Sequence, residues 1–457
     1  MSPEFKTNHE IRDPVHGLIP VSDIELQIID TPAFQRLRNI KQLAMAYLGF
    51  HGAVHTMFGH SIGVMHVASN IYNSLVHRRE ILGDMELHQN IRLAALLHDI
   101  GHPPFSHVSE NVLKFFRPPL GERDKEETLH EEISQRIITE NKDIVRILTS
   151  PRAERIAELL RTDNVAADYC HDIISGSLDG DKMDYLLRDS YYTGVKYGVF
   201  DIDRLINVLT LIDEGAKRRL AIKQEGICAV EQYVLAKYFI AQQVYFHKIR
   251  RITDIMIIEG LKRAIEEGNT KLKQLYTYRD DPSYPDEYIT FDDHTVMDEI
   301  LTNSASTSMA FKYFDGFRRR VLPKELFYSE LSELTDEKTR EAMGKRSSIA
   351  GDTDLRDRIS DSLSLNPDFT FVRAYSLKDP LVRGLSEIDE EGIVILLQSG
   401  RSKTLYDGSP LFKVVADNSG KHFISVYGLP LEIDKYERDK GRLKLESILK
   451  EYFGGKP

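Results

Sequence analysis

The doublet His98–Asp99 directly follows the apolar run Ile91-Arg-Leu-Ala-Ala-Leu-Leu97, and no other feature of the chain constrains its folding as tightly. The run has the length and character of a buried helix. Gly101 is expected to stop it, and Pro103-Pro104 to keep it from resuming. The doublet then falls in the last turn, where the helix dipole favours a cation. An imidazole and a carboxylate are costly at such a place unless something pairs with them. A divalent metal ion pairs with both once they are deprotonated. A metal site is therefore the first expectation.

The histidines are unevenly spread. Of 16 in the chain, ten lie between His51 and His130. His60 opens a segment, Ser61-Ile-Gly-Val-Met-His-Val-Ala-Ser-Asn-Ile-Tyr, with helical apolar spacing. Beyond the doublet come His102, His107, Glu110 and His130. His51, His55, His66 and His77 read as structural.

A chain of 457 residues can bury a large core and is expected to form two lobes. No apolar run approaches the roughly 20 residues that span a bilayer, so no membrane partner is expected. The N-terminus lacks the apolar stretch of a signal peptide. With only Cys170 and Cys228, far apart, a disulfide framework is not expected, and the cytoplasm is the expected compartment. A net charge of −11 argues against broad nucleic-acid binding. It leaves room for a compact polyphosphate pocket built from a metal ion and local Lys or Arg.

The fold class expected is mainly α: a helical lobe over residues 1–290, then a smaller α+β lobe over 291–457 with a flexible break near 346–355. Helical spacing runs through 58–77, 91–99, 127–140, 152–160, 181–192, 201–213, 227–265 and 293–345. Residues 117–127 read as a solvated loop, or as a lid. Strands are expected at Phe369–Tyr375, Gly392–Leu397 and His422–Tyr427, and a charged helix over 432–453.

His60, His98-Asp99 and Asp181 resemble the H…HD…D ligand set of the HD-domain phosphohydrolases. The likeness extends through Asp13-Pro-Val-His-Gly17, Asp30-Thr-Pro-Ala-Phe-Gln-Arg-Leu-Arg38, Lys41-Gln-Leu43, His60-Ser-Ile-Gly63, His98-Asp-Ile-Gly-His-Pro-Pro-Phe-Ser-His107 and Asp181-Lys-Met-Asp-Tyr-Leu-Leu-Arg-Asp189. In this order they resemble the deoxynucleotide triphosphohydrolase branch, over roughly residues 10–260.

The resemblance implies one divalent ion (Mn, Fe, Zn, Ni, Co or Mg) on His60, His98, Asp99 and Asp181, with a dNTP as substrate. It further implies proton transfer by His102, Glu110 and His130. Substrate contacts would come from Gln42, His107, Lys182, Tyr185, Asp189, Lys237 and Tyr245. Helical spacing independently places Asp181, Tyr185 and Asp189 on one face. Asp30, Gln35, Arg36 and Arg38 match a strip that binds a nucleotide effector between subunits, so a homo-oligomer, tetramer or dimer, is expected. The alternative reading is that Arg36 and Arg38 simply cap or brace the helix from Pro32.

One position departs from the pattern. The family reads His-x-Arg-Phe-x-His-Ser, whereas this chain reads His55-Thr-Met57-Phe-Gly-His60-Ser61. Met57 cannot hold a phosphate, and losing a preorganised donor to a transferring group costs about 10²–10³ in rate. Another phosphoester substrate, or weak activity in a nucleotide-sensing protein, is therefore the alternative reading. On the dNTP reading, Met57→Arg is expected to raise turnover by about tenfold or more.

Overall fold

The computed structural model describes residues 6–116, 129–161, 168–215, 217–334, 353–376, 392–418, 421–430 and 438–454. The candidate loop or lid at 117–127 and the break near 346–355 lie outside these, apart from 353–355, which begin a helix. The fold class is the one expected, mainly helical with a smaller α+β unit. The chain divides into two units, residues 1–315 with 391–409, and residues 316–390 with 410–457. The expected boundary at 290/291 thus falls inside the first unit.

Three helices build the centre of the first unit: Met57–His77, Met85–Leu97 and Gly180–Thr193. In Met57–His77 the apolar positions Ile62, Met65, Ala68, Ile71 and Leu75 recur at helical spacing, and all are buried. Asp84 caps Met85–Leu97 by accepting the N–H groups of Glu86 and Leu87. Asp179 caps Gly180–Thr193 by accepting Lys182 N–H at 2.6 Å. Arg92 ties the second helix to Asp23–Ile29 through a buried, two-point contact with Glu25 at 2.6 and 2.8 Å.

Several elements differ from those expected of the sequence. His9–Asp13 and Gly17–Val21 form an antiparallel hairpin in a stretch with no assigned element. The helix expected over 201–213 ends at Val208, and Leu209–Glu214 pairs as a strand with Lys217–Lys223. Leu209-Thr-Leu-Ile is a short apolar run, which periodicity cannot assign to helix or strand. Val394–Leu396 lies parallel to Lys217–Lys223, so a strand expected in the C-terminal lobe belongs to the first unit. The long helix over 227–265 breaks into Ile227–Ile240, a π-helical turn Ala241–Tyr245, and Lys248–Glu266. The helix expected over 293–345 is Asp293–Asn303 and Met309–Arg319, followed by a strand at Lys324–Glu330.

In the second unit, Lys324–Glu330, His422–Gly428 and Phe371–Ser376 form an antiparallel sheet with His422–Gly428 at the centre. Leu326, Val372, Ile424 and Val426 pack with Leu355 and Ile359 of Thr353–Leu363 and with Leu445 and Leu449 of Arg438–Gly454. Among the described residues, no helix is long and apolar enough to cross a membrane.

The core carries an acid-sensitive element. His88 stacks on Tyr72 and meets Ser69 Oγ at 2.9 Å, and burial holds its pKa down to about 4. Burial and the charge of His16 do the same for His66. An unfolded histidine takes its proton near 6.5. These groups therefore contribute fully above about pH 6.5, and the contribution is lost as pH falls toward 4. Thermal melts should show stability falling across that window, by about 1–2 kcal/mol for His88 after allowing for residual solvent. In His88→Gln the fall should be shallower; an unchanged slope would contradict the assignment.

Candidate metal centre and proton-handling cluster

The three central helices bring the doublet, His60 and Asp181 together. His60 Nε2 lies 3.1 Å from Asp181 Oδ1 and 3.6 Å from Asp99 Oδ2. His98 Nε2 lies 3.2 Å from Asp99 Oδ2 and 3.9 Å from Asp181 Oδ1. The doublet sits just past the helix end at Leu97, with His98 in the cap position. Gly101 lies in the turn after the helix, and a Cβ there would meet His130 O at 2.4 Å.

Each imidazole has its other nitrogen committed. His60 Nδ1 donates to Asp184 Oδ2 at 2.8 Å, and His98 Nδ1 donates to Ala95 O at 2.8 Å. In a neutral ring each Nε2 is then a lone pair, and both atoms are buried and face two carboxylates. That arrangement is repulsive without a positive charge between the groups. A metal ion with ligand bonds of about 2.0–2.2 Å needs ligand atoms about 3–3.6 Å apart, which is close to the spacing observed.

Without an ion, the positive charge these carboxylates call for falls to protons on the imidazoles. Burial favours neutral His60, but Asp181, Asp184 and Asp99 together press its pKa well above the ordinary value. Asp181, against the effect of its partial burial, is held down to about 2 by His60 and His98. His60, His98 and Asp181 have metal-compatible spacing, Asp99 Oδ2 lies 3.2–3.6 Å from the two imidazoles, and a set of imidazoles and carboxylates suits a divalent ion.

Beside this centre lies a second cluster. Glu110 Oε1 is 2.9 Å from His107 Nδ1, 2.9 Å from His130 Nδ1 and 3.8 Å from His102 Nδ1. These four residues also have metal-compatible spacing. However, the rings of His102 and His130 are stacked, 4.2 Å apart at 18°. Lone pairs lying in parallel planes cannot converge on one ion, so the cluster is better suited to moving protons. Burial, with the charge of His130 nearby, holds His102 down to about 4 despite Asp99. His130 resists burial because Glu110 raises it to about 9. Glu110 itself is held well below the carboxylate range, burial being outweighed by His130 and His107. A neutral imidazole thus stands next to a charged His130–Glu110 pair. Asp99 Oδ1, 3.4 Å from His102 Nε2 and 3.6 Å from His130 Nε2, joins the two clusters.

The loop between them is held from afar. Phe105 and Ser106 take left-handed backbone conformations, φ +66° and +55°, which cost of order 1–3 kcal/mol each in a non-glycine residue. Phe105 N–H donates to Asp293 Oδ1 at 2.6 Å, and Arg36 donates to the carbonyls of His102, Ile100 and Phe291. Tyr288 donates to Gly101 O at 2.8 Å.

Residues 57–189 match the HD domain family, and residues 200–372 match the HD associated region. The chain belongs to the HD-domain phosphohydrolase superfamily. Within it the likeness is to the deoxynucleotide triphosphohydrolase-like branch. An uncharacterized protein of Methanocaldococcus jannaschii is 34% identical over 306 residues, 67% of this chain and 60% of the relative. The deoxynucleoside triphosphate triphosphohydrolase SAMHD1 of Gallus gallus is 29% identical over 364 residues, 72% of this chain and 57% of that protein. The chain spans about three-fifths of the length of these curated relatives. A phosphohydrolase from Bacteroides thetaiotaomicron has a similar structure, with a TM-score of 0.69, 25% identity, and coverage of 92% of this chain and 99% of that one.

In this HD-domain protein the remaining expected residues are unequally placed. Asp189 is buried, accepting from Tyr245 Oη at 2.6 Å while His55 Nε2 lies 2.6 Å from its other oxygen. His55, expected to be purely structural, is thus set against a candidate sugar contact, and its ring stacks on Tyr192. Tyr185 and Tyr245 approach edge to face, at 6.5 Å. Gln42 is buried with its side-chain oxygen unpartnered, so it can accept from a bound hydroxyl. Lys182 pairs with Asp179 at 2.6 Å, and Lys237 is lowered to about 8 by burial and by Lys182.

Arg36, expected at an effector site, is a buried brace instead. Gln35 accepts from Arg38 at 2.8 Å and donates to Ile29 O, and Arg38 lies over the Phe58 ring. Of the strip, Asp30 and Arg38 are exposed.

Sequence reasoning missed Asp184, His16 and Asp293. Asp184 sits inside the quoted Asp181–Asp189 motif, and an i, i+3 partner of Asp181 was the available signal. Gly63 was another: a Cβ there would overlap Asp184 Oδ1 and lie 2.5 Å from Arg188 Nη2.

Proposed function

We propose that this protein is a metal-dependent phosphohydrolase that cleaves deoxynucleoside triphosphates to deoxynucleoside and inorganic triphosphate. The observation that carries the reading is the pair of bare imidazole Nε2 atoms facing Asp99 and Asp181, 3.1–3.9 Å from those carboxylates. His60, His98, Asp99 and Asp181 would hold the ion, which supplies Lewis-acid polarisation of a phosphoryl oxygen. His102, kept neutral, accepts the proton of the attacking water. The His130–Glu110 pair fixes its ring by stacking, and the proton taken by His102 passes to the leaving 5′-oxygen of the deoxynucleoside as the P–O bond breaks. Lys237, and Lys182 once it leaves Asp179, would contact the phosphates, and Tyr185, Gln42 and the Asp189–Tyr245 pair would receive the sugar. SAMHD1-like relatives support a nucleotide substrate. The test is release of inorganic triphosphate from each dNTP with Mn and with Mg, against NTP controls; no release from any dNTP would overturn it.

A second reading, another nucleotide or phosphoester, rests on Met57. This residue is fully buried, its sulfur 3.8 Å from Ser106 Oγ. An unpaired guanidinium there would cost about 3–5 kcal/mol. Met57→Arg should therefore melt lower than the unaltered protein when free. Saturating dNTP should stabilise the variant more than the parent, and turnover should rise by about tenfold. Equal stabilisation by dNTP, with flat turnover, would favour the second reading.

A further inference from the structure

Asp184 makes four contacts, and they connect two distant parts of the chain. Its Oδ2 accepts His60 Nδ1 at 2.8 Å, and its Oδ1 accepts His16 Nε2 at 2.7 Å. Arg188 donates to both oxygens at 2.8 Å and, through Nη1, to Asp13 Oδ2 at 2.8 Å. Asp13 Oδ1 in turn accepts the N–H groups of Val15 and His16 and so shapes the hairpin turn. The side chains of His16, Asp184 and Arg188 are 7%, 0% and 1% exposed.

The strands flanking that turn are mostly exposed or half-buried, with Leu18 48% exposed. A two-stranded hairpin is marginal by itself. Ile19 and Val21 are buried and Arg92 holds Pro20 O, but the turn itself is anchored by the buried network, which ends on the proposed metal ligand His60. A carboxylate on the far nitrogen of a metal-bound histidine fixes its tautomer and orientation and raises its basicity.

We propose that His16 is a positioning residue for His60, acting through Asp184, so that hairpin docking and metal binding stabilise each other. The inference rests on the reading of His60 as a metal ligand. Linkage makes the coupling reciprocal: whatever the docked hairpin adds to metal affinity, the metal adds to hairpin docking.

The experiment is Mn titration by calorimetry, together with amide exchange over residues 9–21 with and without Mn. In the unaltered protein, Mn should slow exchange in the hairpin. His16→Ala should bind Mn about 10–100-fold more weakly and lose the Mn-dependent protection. His16→Gln, whose amide nitrogen can take the place of Nε2, should restore both within a few-fold. Unaltered Mn affinity in His16→Ala, or hairpin exchange indifferent to Mn in the parent, would overturn the proposal. If His16→Ala does not fold, the exchange measurement on the parent decides alone. A parent that binds no Mn would overturn the metal-site reading itself, and the coupling with it.

Discussion

Asp181→Asn should leave a folded protein that no longer holds its metal. The amide keeps the volume but removes the charge that sits 3.1 Å from His60 Nε2. Losing an outer-shell partner of a metal site costs about 10–100-fold in affinity, and a first ligand should cost more. Hydrolysis should fall below detection. The parent should also melt higher with Mn, by about 2.7 kcal/mol at 100 times the Kd, and the variant should show no such gain. Stoichiometric Mn retained at parental affinity would remove Asp181 from the ligand set.

His102→Gln should separate the two clusters. Metal affinity should stay within a few-fold, because the four proposed ligand side chains are intact. The rate should drop by about 10²–10⁴, the range for a positioned acid or base. A variant with parental turnover would assign proton handling elsewhere. The pair of variants distinguishes binding from chemistry: Asp181→Asn loses both, His102→Gln only one.

Much of the centre could be read along the chain because its members carry local signals. His98 and Asp99 are adjacent, His60 opens a periodic helix, and Asp181 begins a helix whose face repeats at Tyr185 and Asp189. The parts that could not be read depend on contacts without a sequence period. Whether His60 presents Nε2 or Nδ1 is set by Asp184, 124 residues away. Arg36 could be a brace or a ligand contact from its motif alone, and only the carbonyls of Ile100, His102 and Phe291 decide. His55 has no helical neighbours to mark it, and its partner Asp189 lies 134 residues on. The strands at 209–223 failed for a different reason. Short apolar runs satisfy both periods, and the pairing of Leu209 with Ile222 supplies the choice.

Gly63 marks how a member of this superfamily could fail silently. A single methyl group there would take the space of Asp184 and Arg188 while leaving the proposed metal ligands, the His98–Asp99 doublet among them, unchanged in the sequence. A descendant carrying alanine at this point would still look intact to anyone comparing ligands. We expect it to be catalytically inert or to depend on an unusually high metal supply. Inventories of active and retired members should therefore score this position alongside the ligands. The same glycine limits engineering: helix-stabilising Gly→Ala exchanges, usually safe in a buried helix with room to spare, should be withheld here.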